Sequence, residues 1–186
     1  YEAENIWLKL LDDFKKGQLK RKYIGSQIDM KDFPQLKKKF FKKYYFVPTI
    51  QVSRGCPNSC SYCSVRAYNG NKLRTRPVDD VIRDIRNLTG KSIFEKGIGF
   101  VDDNLFADRD YAIALFKKMI PLKVYWGTYA SIKVAFDEEL LDYAYKSGCR
   151  ILWIGFESIN KDSLKSVNKF NLIERYEEGI IKLKEK

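Results

Sequence analysis

The chain has 186 residues, 45% hydrophobic and 15% aromatic, which is enough for one sizeable core but not clearly for two. Lys and Arg outnumber Asp and Glu by 35 to 24, a net charge of +11, and no apolar run approaches the roughly eighteen residues of a membrane span. Histidine is absent. This removes Ser-His-Asp and Cys-His nucleophiles, histidine-ligated zinc and histidine acid–base chemistry, and leaves metal or redox work to cysteine and oxygen ligands.

Residues 4–16 read as a helix, with Ile6, Trp7, Leu10, Leu11 and Phe14 at helical spacing and Gly17 as the stop. A lysine-rich extended piece runs through Ile24, and Asp32-Phe33-Pro34 begins a linker that lasts to about Phe46. Residues 1–46 hold too little for an independent core, so they read as the tail helix of an upstream domain plus its linker. The opening Tyr1-Glu2-Ala3-Glu4 has no Met, which points to a chain beginning inside a longer protein. The densest basic stretch, Lys37 to Tyr45, interleaves lysines with aromatics, a pattern suited to RNA phosphates and bases. With no nucleic-acid module around it, the simpler reading is a solvated connector whose aromatics dock on a neighbouring domain.

From Val47 onward the pattern is regular. Thr49 to Ser53 reads as a strand, and Pro77 and Asp79 open a helix with Val78, Val81, Ile82, Ile85 and Leu88 on one face, ended by Gly90. Gly97 to Val101 is a second strand; Asp108 caps the helix carrying Ile113, Leu115, Phe116 and Met119, and Pro121 closes it. A third strand begins near Lys123. Asp137 caps a helix stopped by Gly148, and Arg150 to Phe156 is so continuously apolar that it reads as a strand buried on both faces. A last amphipathic helix, with Leu172, Ile173, Tyr176, Ile180 and Leu183, runs to the end. Strand–helix alternation of this length argues an α/β fold with a parallel sheet, right-handed crossovers and functional turns at the carboxyl ends of the strands.

Three of the four cysteines, Cys56, Cys60 and Cys63, fall within eight residues directly after the first strand. The trio is too tight for disulfide geometry. Soft thiolates favour zinc, copper(I) or an iron–sulfur cluster. Structural zinc and iron–sulfur clusters both normally take four protein ligands. Either a distant fourth ligand exists or one metal position is left open. Cys149 precedes the fourth strand, at the end opposite the cysteine loop, and reads as a small buried hydrophobe rather than a ligand. Gly55 supplies a backbone conformation that side chains disfavour, and Arg66, Arg74 and Arg76 are available to a carboxylate or phosphate.

The run Cys56-x-x-x-Cys60-x-Tyr62-Cys63 resembles the signature of the radical S-adenosylmethionine (radical SAM) enzymes. The resemblance implies a partial (β/α) barrel of six strands, of which about four are present here, the core at 47–186 being incomplete at its C-terminus. It implies a [4Fe–4S] cluster held by Cys56, Cys60 and Cys63, with S-adenosylmethionine on the open iron and Tyr62 beside the adenine. Asp102, Asp103 and Asn104 stand where the family carries a Gly-Gly-Glu-like stretch that orients the amino group of S-adenosylmethionine; a plain turn is the alternative. Glu157 and Ser158, in Ile154-Gly155-Phe156-Glu157-Ser158, resemble the stretch that meets the ribose hydroxyls, with an exposed helix start as the alternative.

Ser53-Arg54-Gly55-Cys56-Pro57, Lys72 to Pro77 and the two strand-end stretches together resemble the cobalamin-binding branch of that family. This implies cobalamin for the parent protein, a small-molecule substrate that the sequence does not identify, and an electron donor such as flavodoxin or ferredoxin. The absence of an export signal and the clustered thiols fit a reducing cytoplasm. Three rival readings stay open. One is a tRNA methylthiotransferase-like member, which would need three further upstream cysteines. Another is a zinc-stabilised nucleic-acid-binding module using Cys149. The third is an inactive fragment whose open sheet edge invites aggregation.

Overall fold

In the computed structural model, residues 2–37, 47–90, 95–169 and 173–186 are described. The lysine- and aromatic-rich stretch lies outside them from residue 38 on, as does Leu172 of the last helix. Four strands, β1 (Thr49–Ile50), β4 (Gly97–Phe100), β5 (Tyr125–Ala130) and β6 (Cys149–Ile154), form one parallel sheet in that order. A short α2 (Val65–Asn69) lies in the cysteine loop; between the strands run α3 (Val78–Leu88), α4 (Arg109–Met119) and α5 (Glu138–Lys146), and α7 (Tyr176–Lys184) follows β6.

The caps form where the sequence signals them. The Asp108 carboxylate accepts from the Tyr111 N–H and that of Asp137 from the Leu140 N–H, satisfying amides that a helix start leaves unpaired. The apolar stripes of α3 and α4 meet one face of the sheet. Val81, Ile85, Leu115 and Phe116 are buried against Ile50, Ile98, Phe100 and Trp126. Trp126 fills the centre, edge-on to Phe100 at 5.3 Å and stacked on Phe116 at 5.0 Å, and its indole N–H donates to Ser147 Oγ at 3.2 Å. Gly148, at φ 104°, makes the turn from α5 into β6. A Cβ there would lie 1.8 Å from the Val124 carbonyl oxygen.

Three expectations need correction. The first strand does not run unbroken to Ser53. Its pairing to β4 ends at Ile50, and Ser53–Arg54 (β2) turns away to pair antiparallel with Arg74–Thr75 (β3). The third strand starts at Tyr125 rather than near Lys123, because Lys123 sits in a left-handed turn at φ 52°. The fourth strand is not buried on both faces: it is the sheet's edge, with Ile151 53% and Trp153 50% exposed. Leu152 and Ile154 pack against the core, while the opposite face of β6 carries Ile151 and Trp153 without cover. The helix α1 (Trp7–Lys15) buries no residue, and Trp7, Leu8, Leu11 and Phe14 are exposed.

Candidate functional site

The cysteine loop leaves the β2–β3 hairpin. Gly55 enters it at φ 91°, and a Cβ there would lie 2.4 Å from the Lys72 carbonyl oxygen, so the two ends of the loop touch through the space a side chain would fill. Cys56, Cys60 and Cys63 are free, half-buried thiols, and the Cys63 N–H donates to the Cys60 carbonyl at 3.1 Å. Burial pushes the Cys56 thiol up, countered by hydrogen bonds from the Asn58 backbone and the Asn104 side chain.

Charges distant in sequence hold the base of this loop. Arg54 meets Glu4 at 2.6 Å and Glu2 at 3.3 Å. Arg74 pairs with the nearly buried Glu2 and donates to the Ile28 carbonyl at 2.7 Å. Arg76 is buried on Asp84 at 2.5 Å, and the Phe33 ring lies under both Arg76 and Arg54, at 4.5 and 5.2 Å. Two of the three arginines considered from sequence therefore meet carboxylates of this same chain. Arg66 lines the cavity described below.

The turn after β4 does two different jobs. Asp102 is 1% exposed, and its carboxylate accepts from the Val52 N–H at 3.0 Å, the Ser53 N–H at 2.5 Å and the Ser53 hydroxyl at 2.6 Å. Burial drives its pKa up to about 7 despite these donors. Asp102 thus ties the strand ends together. Asp103 accepts from the Gly55 N–H at 3.3 Å and the Asn69 amide at 3.0 Å, holding both limbs of the loop. Asn104 sets its amide against Cys56 and leaves its buried Oδ1 without a partner.

After β6, Glu157 takes a left-handed φ of 62°, a conformation that a non-glycine residue enters at a cost. Its carboxylate meets Lys169 Nζ at 2.7 Å, and the Tyr62 hydroxyl lies beside both, close enough to influence their charge. The Lys169 ammonium holds Glu157 below the usual carboxylate range. A Cβ on Gly155 would fall 2.8 Å from Glu157 Oε1 and 3.0 Å from Lys169 Nζ, so the missing side chain is the room this pair occupies. Ser158 is spent on its own turn, its hydroxyl accepting from the Asn160 N–H at 3.0 Å, and it does not line the cavity.

One cavity of about 860 Å³ gathers the rest: the three cysteines, Tyr62, the turn 102–104, Gly155 and Glu157. Tyr129 and Trp153 add an aromatic wall, their ring centroids 5.6 Å apart. Cys149 stands elsewhere. It opens β6 opposite Trp126, at the other end of the sheet, and burial raises its thiol to about 12. Among the described residues no three His, Cys, Asp or Glu side chains are grouped as a single-ion site. A zinc ion would need its thiolates at about 2.3 Å from one centre, whereas a cubane takes each thiolate on a different iron. The donor set suits the cubane: three soft thiol ligands from one loop, all opening on one cavity, with no histidine in the chain.

Sequence reasoning missed Glu2, Glu4 and Lys169. Each acts through a partner 12 to 72 positions away, and no local period marks such a pair.

Comparison with known proteins agrees with this geometry. A family model described as the radical SAM superfamily matches residues 50–186. Bacteriochlorophyllide d C-12(1)-methyltransferase of Chlorobaculum tepidum is 33% identical over 187 residues, covering 95% of this chain and 41% of that protein. The chain thus spans less than half of that relative's length. Among solved structures, the cobalamin-dependent S-adenosylmethionine radical enzyme OxsB, with aqua-cobalamin and S-adenosylmethionine bound, aligns at a TM-score of 0.70 and 17% identity, over 95% of this chain and 30% of OxsB. The radical S-adenosylmethionine methyltransferase TsrM from Kitasatospora setae, with cobalamin and a [4Fe–4S] cluster bound, aligns at 0.66 and 18%, over 75% and 29%. At these identities the structural likeness establishes the fold, a parallel α/β partial barrel.

Proposed function

The chain belongs to the radical SAM superfamily, and on that premise we propose that it is the cluster-binding part of an enzyme that reductively cleaves S-adenosylmethionine to start radical chemistry. The observation that carries the reading is the single cavity onto which the three cysteines and both strand-end turns open. Cys56, Cys60 and Cys63 would hold the [4Fe–4S] cluster, and what the cluster supplies when bound is one low-potential electron to the sulfonium of S-adenosylmethionine.

The chain's own residues bind and orient. Tyr62, half-exposed at the cavity mouth, offers a ring face to the adenine. Glu157, an ionised acceptor, suits the ribose hydroxyls. Asp103 and Asn104 present oxygen atoms for the protonated or metal-bound amine. Asp102 supports them from behind, since its oxygens are already engaged by Val52 and Ser53. Tyr129 and Trp153, themselves about half exposed, line one side of the cavity with aromatic rings.

The relatives favour a cobalamin-dependent methyltransferase as the parent protein, acting on a small molecule; a carrier such as flavodoxin or ferredoxin would supply its electron. Residues 1–46 are read as the tail helix of its upstream domain and a linker, which the exposed apolar face of α1 supports. No helix among the described residues is long and apolar enough to cross a membrane. Free thiols of this kind suit a reducing cytoplasm.

Anaerobic reconstitution tests the reading. A brown protein with about four irons per chain is expected, with loss of iron on replacing Cys56, Cys60 or Cys63 by Ala and retention on replacing Cys149. Stoichiometric zinc without iron uptake would sink it.

A further inference from the structure

Three segments meet at one point beside the cavity. The tip of the cysteine loop reaches the body through the Ser61 N–H, which donates to the Val167 carbonyl at 2.9 Å, and through the Tyr62 hydroxyl. The turn after β6 brings Glu157, and the turn after α6 (Lys161–Ser166) brings Lys169. The turn that brings Lys169 is an ordinary helix C-cap, with Asn168 left-handed at φ 54° and the Asn168 and Lys169 N–H groups donating to the Lys165 and Leu164 carbonyls. Glu157 is different: its φ of 62° has no such helix end behind it. Left-handed residues other than Gly and Asn persist only where their surroundings over-determine them, and they cluster at ligand clamps and switch regions. Lys169 is only 16% exposed, though lysines usually extend into solvent. Its Nζ lies close over the backbone at Gly155, 3.0 Å from where a Cβ would stand.

We propose that Lys169 is a positioning residue. By bridging Glu157 and Tyr62 it locks the tip of the cysteine loop to the turn after β6, so that the aromatic slot and the ribose-side carboxylate are presented to a ligand as one unit. The charge logic is specific. Without the ammonium, Glu157 loses the cation that meets it at 2.7 Å, and the Tyr62 hydroxyl loses a neighbour on the body side. The tip would then be held more loosely, chiefly through the Ser61–Val167 bond. Arginine reproduces the charge and the donors, whereas methionine reproduces only the stem. Gly155→Ala attacks the same pair from the opposite side, through space rather than charge.

The consequence for S-adenosylmethionine rests on the function proposed above; the latch itself does not. Amide hydrogen exchange in the whole protein, without added iron, reads the latch directly. Lys169→Met and Gly155→Ala should each speed exchange of the Ser61 and Cys63 amides about tenfold, with Lys169→Arg close to wild type. Unchanged exchange in Lys169→Met overturns the proposal. So does a uniform rise over the entire chain, since it would mean simple destabilisation. Equilibrium binding of S-adenosylmethionine to the reconstituted protein then reads the effect on the ligand. Lys169→Met should bind about tenfold more weakly, with arginine restoring affinity. Equal binding by wild type and Lys169→Met overturns the positioning role. Altered exchange together with a wild type that binds no S-adenosylmethionine refutes the functional reading and leaves the latch standing.

Discussion

Replacing Arg76 by Met should be among the most damaging single changes in the chain. Arg76 and Asp84 are 1% and 0% exposed and joined at 2.5 Å, and Arg76 also donates to the Gln51 carbonyl at 3.3 Å and rests on the Phe33 ring. Met keeps most of the stem's volume but leaves the Asp84 carboxylate buried and unpaired, which costs about 3–5 kcal/mol. Some of that returns if Arg83 Nε, 4.0 Å from Asp84 Oδ1, swings inward. Loss of the ring contact adds about 1–2 kcal/mol to the cost in a desolvated setting. A net loss of at least about 3 kcal/mol corresponds to a melting temperature lower by at least roughly 6–12 °C for a domain of this size. Changing both partners, Arg76→Met with Asp84→Leu, removes the orphan charge and should cost only about 1 kcal/mol or less. Urea denaturation followed by circular dichroism on the wild type and both variants measures these differences. The reasoning fails if Arg76→Met stays within about 1 kcal/mol of wild type, or if the double change is no milder than the single one.

Asp102 rises from an ordinary 3.8 to about 7 in the fold, so its stabilising contribution is complete below pH 3.8 and is lost as pH climbs through 7. Asp102→Asn should flatten the fall in stability across that window, by up to about 4 kcal/mol, and parallel denaturation profiles for the two proteins would refute this. Gly148→Ala should cost more than about 2 kcal/mol, because its φ of 104° and the Val124 oxygen at 1.8 Å leave no room. Gly97→Ala, whose nearest foreign atom is a Val47 methyl at 3.6 Å, serves as the control and should stay within about 1 kcal/mol by thermal melting.

What could be read in advance was local. The capping roles of Asp108 and Asp137 and the stop at Gly148 depend on residues within one helical turn, and each stands where the pattern places it. The loop after the first strand and the turns after the second and fourth come to one cavity because a parallel sheet delivers successive strand ends to one side. The β2–β3 hairpin escaped notice because two-residue strands carry no period to detect. The apolar run in β6 misled for a different reason. An edge strand can be as apolar in composition as a central one, so the run of letters alone does not separate them. Asp102, Asp103 and Asn104 look equivalent as letters; burial alone divides them into a strand tie, a loop tie and an unpartnered oxygen.

Glu2 and Glu4 have a consequence for how the molecule should be dissected. Their carboxylates neutralise Arg54 and Arg74, which sit at the two ends of the cysteine loop. A cut at residue 46, where the chain changes character, would strip two counter-ions and the Phe33 ring from guanidinium groups that have little access to water. The covalent seam and the electrostatic seam lie in different places. Shortened or chimeric versions that begin after residue 46 should lose loop integrity before they lose the sheet, and those that retain the first four residues should keep both.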